Sequence, residues 1–81
     1  MQRFTVFGRP DCGYCVRAKQ SLDGLGYQYR WVDIVEEGIS KADLEKTVGQ
    51  PVETVPQIFH GQAHIGGFTE LDAYLKTLDA A

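Results

Sequence analysis

The sequence predicts an α/β fold in the order βαβ–α–ββα: a mixed four-stranded sheet packed with three helices. Three observations predict it. Arg3–Phe7 alternates with the period of a strand, and from Cys12 the apolar period switches to three and four, as in a helix. A second alternating run, Tyr27–Asp33, follows, and the intervening chain is long enough for a parallel, right-handed crossover. Two short apolar runs then flank His60-Gly61, the pattern of an antiparallel hairpin.

The elements follow in order. Gly8-Arg9-Pro10-Asp11 ends the first strand with turn residues. Cys15, Ala18, Leu22 and Leu25 form the apolar face of the first helix, and Gly26 suits the left-handed position after its end. In the second strand Tyr27, Tyr29 and Trp31 share one face. Ser40 is a predicted N-cap, with Asp43 completing a capping box and Ile39 and Leu44 at hydrophobic-staple positions. That helix turns Leu44 and Val48 inward and stops at Gly49, with Pro51 beyond. Strands are predicted at Gln57–Phe59 and Gln62–Ile65, and Gly66-Gly67 breaks the pattern. Thr69 is read as the cap of a last helix, with Asp72 three residues on and Leu71, Leu75 and Leu78 as its apolar stripe.

At 81 residues the chain holds one small domain, 1–81, and its 43% apolar content suits a globular core. No stretch approaches the roughly 20 apolar residues of a membrane span. Met1 runs directly into strand-like alternation, so no secretory leader is expected and the expected location is cytoplasmic. The net charge of −3 disfavours a nucleic-acid scaffold.

The two cysteines, Cys12 and Cys15, are too few and too close for a disulfide framework. Cys12 falls at the start of the first helix, where unpaired N–H groups and the positive end of the dipole favour a thiolate, the nucleophilic form. Arg9, Arg17 and Lys19 add positive charge nearby, while Asp11 acts in the opposite sense. Cys15, one turn later and in phase with the buried face, is expected to be hidden. The asymmetry makes Cys12 the attacking thiol and Cys15 the resolving one. The alternative is a zinc set completed by His60 and His64. The 44 residues between Cys15 and His60 far exceed the roughly 12–15 of a compact finger, and both histidines read better as hairpin surface residues. No metal is expected.

Beyond the cysteine pair, three motifs occur in order: Phe7-Gly8-Arg9 before Cys12-Gly13-Tyr14-Cys15, then Thr54-Val55-Pro56, then Gly66-Gly67-Phe68-Thr69. On these the sequence resembles the glutaredoxins, especially small bacterial and phage dithiol members, over nearly its whole length. The resemblance implies a thioredoxin-like fold and a glutathione-dependent thiol–disulfide oxidoreductase. Such an enzyme reduces protein disulfides or glutathione mixed disulfides, with glutathione as co-substrate and glutathione reductase supplying electrons from NADPH. It also implies a monomer serving disulfide-bearing or glutathionylated proteins, ribonucleotide reductase among the partners.

By the same resemblance Pro56 follows a cis bond that turns the Val55 backbone toward Cys12, to pair with a peptide-like substrate beside Thr54. From the residues alone, Thr54-Val55-Pro56 reads as the start of a strand with a trans bond. Gly67, Thr69 and Glu70 are expected at the γ-glutamyl end of glutathione, the helix N–H groups receiving its carboxylate and the Glu70 side chain its ammonium. Relatives often have Asp at that last position. Arg9, with Lys41 as a second candidate, is expected at the glycyl carboxylate, and exposed Tyr14 against the tripeptide. Gly13 stands where many dithiol members have Pro, which restores a backbone N–H and loosens the turn. Some relatives lacking that proline hold a [2Fe–2S] cluster between two subunits, so a glutathione-ligated cluster dimer is the alternative function. A redoxin reduced by a thioredoxin reductase is a third; Arg9 and Thr69-Glu70 argue against it.

Overall fold

The computed structural model describes residues 3–79. The elements are β1 (Phe4–Gly8), α1 (Gly13–Gly24), β2 (Tyr29–Asp33), α2 (Lys41–Val48), β3 (Gln57–His60), β4 (Ala63–Gly66) and α3 (Phe68–Asp79). The four strands form one sheet in the order β2-β1-β3-β4. β1 pairs parallel to β2, from Phe4 opposite Tyr29 to Gly8 opposite Asp33. β3 runs antiparallel to β1, and β4 antiparallel to β3. Helices α1 and α3 pack on each other and on the sheet. Between them lies a core of Phe4, Val6, Ala18, Leu22, Ile58, Leu71 and Leu75, all buried.

This topology places the chemistry. Gly8 ends β1, Gln57 begins β3 opposite Phe7, and Gly66, opposite Ile58, ends β4. The loops after β1, before β3 and after β4 therefore emerge at one end of the sheet. All three carry the motifs singled out in the sequence.

Local chemistry sets the helix ends. Cys12, extended at φ −94° and ψ 115°, caps α1, and its side chain accepts the N–H of Cys15. Gly26 takes φ 77°, and the N–H of Tyr27 returns to the Leu22 carbonyl. Ser40 caps α2 in a complete capping box with Asp43, and Gly49 ends that helix.

Several boundaries differ from those expected. Tyr27 belongs to the end of α1 through its bond to Leu22, so β2 starts at Tyr29 rather than Tyr27. Leu25 is 47% exposed, because it is the C-cap rather than a continuation of the apolar face. β1 gains Gly8 and loses Arg3, and the hairpin strands run Gln57–His60 and Ala63–Gly66. Thr69 is not the cap of α3: the first helical bond runs from Leu71 N–H to the Gly67 carbonyl, so the helix opens at Phe68. Asp72 instead pairs with Lys76 at 3.3 Å.

The histidines are not free surface residues. His60 stacks on Phe4 with ring centroids 4.2 Å apart, and its Nδ1 lies 2.7 Å from the Tyr74 hydroxyl. His64 packs on Phe59 and places Nε2 2.8 Å from Gln57 Oε1. Among the described residues no helix is long and apolar enough to cross a membrane.

Candidate active site

Cys12 is half-buried and Cys15 fully buried; both are free thiols. The Cys12 Sγ accepts the Cys15 N–H at 3.2 Å and lies 3.6 Å from the Val55 carbonyl oxygen, to which its S–H donates. The sulfur thus sits at the open N-terminus of a twelve-residue helix, where N–H groups lack intrahelical partners. Negative charge that gathers on it during exchange meets a backbone donor and the helix dipole. The Val55-Pro56 bond is cis.

Cys15 has the opposite environment. Its thiol is pushed from 9.0 up to about 12, first by burial, then by a hydrogen bond and charge from the neighbouring Cys12. A backbone hydrogen bond with Arg9, which outweighs the Cys12 charge, and the charge of Arg9 act the other way. Gly8 makes this burial sterically feasible. A Cβ at that position would lie 2.5 Å from Cys15 Sγ and 3.0 Å from the Trp31 ring.

Two grooves flank Thr54 and Val55. The first, about 240 Å³, is lined by Tyr14, Thr54, Val55, Pro56, Gly67, Phe68, Thr69 and Glu70. The second, about 210 Å³, is lined by residues that include Arg9, Lys41, Glu53, Thr54 and Val55. Every residue expected at a glutathione site therefore lies on one groove or the other. Tyr14 is 60% exposed and stacks on Phe68 at 6.0 Å between centroids. Thr69 and Glu70 occupy the first turn of α3, where their N–H groups are open to an anion. The Glu70 carboxylate is turned back onto the Gly67 N–H at 2.8 Å. Lys41 makes a long, exposed contact with Glu53 at 3.9 Å, an arrangement that holds little energy.

Two contributors escaped the sequence reading. Phe68 lies in the Gly66-Gly67-Phe68-Thr69 motif, and its signal is an aromatic beside the glycine pair. Gln57, only 8% exposed, donates from Nε2 to the Thr54 carbonyl at 2.8 Å, and nothing in its spacing marks it. His60 and His64 are held by Tyr74 and Gln57 rather than gathered with the cysteines. Among the described residues no three His, Cys, Asp or Glu side chains cluster as a metal site.

A parallel-crossover sheet with one accessible and one buried thiol at a helix start defines a thiol–disulfide oxidoreductase of the thioredoxin-like class. The glutaredoxin family model matches residues 4–65. Glutaredoxin 1 of Salmonella typhimurium is 61% identical over 90% of this chain and 91% of that protein. The structure of reduced Escherichia coli glutaredoxin superposes with a TM-score of 0.87 at 49% identity, covering 98% of this chain and 99% of that one. A buckwheat glutaredoxin solved as its glutathione complex gives a TM-score of 0.78 at 32% identity, covering 94% of this chain and 70% of that one. The chain belongs to the glutaredoxin family.

Proposed function

We propose that the protein, as a single glutaredoxin domain over residues 1–81, uses glutathione to reduce protein disulfides and glutathione mixed disulfides. The observation that carries this is the pair of grooves meeting at Val55, beside Cys12. An extended tripeptide with an anionic group at each end fits that layout. The open N–H groups of Thr69 and Glu70 beside Gly67 receive the γ-glutamyl carboxylate, and Arg9 with Lys41 receives the glycyl carboxylate. Tyr14 covers the ligand, and the Val55 backbone, set between Thr54 and Pro56, pairs with it as an added strand would. Glu70 leaves Gly67 to meet the ligand's ammonium. The buckwheat relative bound to glutathione supports the same ligand class.

Exchange follows two routes. With a glutathionylated protein, the Cys12 thiolate attacks the glutathione sulfur, the protein thiolate leaves and takes a proton, and Cys12 becomes glutathionylated. A second glutathione thiolate attacks the glutathione sulfur, releasing glutathione disulfide and restoring Cys12. With a protein disulfide, Cys12 forms a mixed disulfide with the protein. Cys15 then attacks Cys12 Sγ and expels the substrate thiolate, which takes the proton of Cys15. Two glutathiones reduce the Cys12–Cys15 disulfide.

The test is a glutathione-coupled assay with NADPH and glutathione reductase. Cys15→Ser is expected to retain removal of glutathione from a glutathionylated peptide and to lose most reduction of a protein disulfide. Cys12→Ser is expected to lose both. Activity of Cys12→Ser equal to that of the parent protein would overturn the assignment.

A further inference from the structure

Among the described residues Gln57 is a buried polar side chain that the exchange chemistry does not use. Gln57 stands at the start of β3 with its side chain buried. Its Nε2 lies 2.8 Å from the Thr54 carbonyl oxygen, and its Oε1 lies 2.8 Å from His64 Nε2. The carbonyl can only accept, so the amide nitrogen must face Thr54 and the amide oxygen must face His64. That oxygen can only accept in turn, so His64 must carry its proton on Nε2. His64 is cross-strand to Phe59, rests its ring on that side chain at 5.1 Å, and so reaches Gln57 on the same face of β3. The chain of donors has one polarity: His64 to Gln57 to the Thr54 carbonyl.

The Thr54 carbonyl and the Val55 N–H belong to one planar peptide unit, which is trans, and in such a unit the oxygen and the hydrogen point in opposite directions. Holding the oxygen toward buried Gln57 therefore aims the Val55 N–H the other way, away from Gln57, and Thr54 and Val55 line both grooves. We propose that Gln57 and His64 are positioning residues that orient the Val55 N–H for an extended, peptide-like substrate. The inference rests on the proposed pairing of the Val55 backbone with glutathione and adds the device that aims it. Neither residue touches the reacting sulfur. Their effect falls on substrate binding more than on exchange itself.

Two measurements test it. In nitrogen NMR spectra of the intact reduced protein, His64 is expected to carry its neutral-form proton on Nε2. A proton on Nδ1 instead would overturn the pairing whatever the substrate proves to be. In steady-state kinetics with a glutathionylated peptide, Gln57→Met is expected to raise KM about tenfold while kcat falls less than threefold, the pattern of lost uniform binding. His64→Leu is expected to raise KM at least threefold, and His64→Gln, which keeps a donor, to restore it to within twofold. An unchanged KM in folded Gln57→Met would overturn the inference. So would equal KM values for His64→Leu and His64→Gln. Failure of the parent protein to use the glutathionylated peptide would refute the glutathione reading instead, and the tautomer of His64 would then decide the pairing alone.

Discussion

Cys12 and Cys15 are chemically the same residue three positions apart, and the fold separates their properties by exposure. Cys15 has no solvent exposure, and its thiol is held up to about 12. Burial is the larger cause and persists through the cycle. The contribution from Cys12 belongs to the reduced pair, in which both thiols are free. The same shift makes stability depend on pH. Its folded value lies above its unfolded value near 9.0, so its contribution is complete below pH 9 and is lost as pH rises toward 12. Within that window it lowers stability by at most about 1.4 kcal/mol per pH unit. Urea unfolding of the reduced protein from pH 8 to 11 is expected to show a fall that Cys15→Ser reduces. Parallel profiles for the two proteins would contradict the assigned environment. The unequal exposure of the two cysteines was legible in the sequence, since helical phase alone buries one and caps the helix with the other. The hydrogen bonds of His60 and His64 were not legible, because their partners Tyr74 and Gln57 reach them only through tertiary packing.

Elements with a strong local signal were read closely. Helix α2 has its cap, its capping box and its glycine stop where the sequence placed them, because each is decided within a few residues. Ser40→Ala is expected to cost about 1 kcal/mol of stability in chemical denaturation, as for other N-cap losses. A change below the error of the measurement would show that α2 is held by packing instead. Asp43, its capping partner, is held below the usual carboxylate value by the Ser40 hydroxyl and backbone N–H. Its contribution is therefore present at neutral pH and is lost on acidification through that lowered value. Elements whose limits depend on neighbours were misplaced. Leu25 and Tyr27 looked like continued periods of a helix and a strand, yet the closing bond between Tyr27 and Leu22 turns the chain between them. Thr69 looked like a cap, but the chain already enters α3 from Gly67.

At the scale of the whole molecule, the sheet order brings three distant loops to one end and sets two grooves on either side of Val55. The order of elements was readable from periodicity, while the meeting of the loops follows only once pairing and register are known. The cysteine pair closes a loop too short to restrict the unfolded chain much, so the core of Phe4, Val6, Leu22, Ile58 and Leu71 must hold the fold in both redox states. The scaffold thus works to expose one sulfur and hide the other. The most direct test traps the first covalent step. Reduced Cys15→Ser and Cys12→Ser proteins are each mixed with glutathione disulfide, and their intact masses are followed in time. Cys15→Ser should gain one glutathionyl group, mapped to Cys12, while Cys12→Ser stays unmodified over the same interval. Modification of Cys15 in the Cys12→Ser protein at a comparable rate would contradict the account.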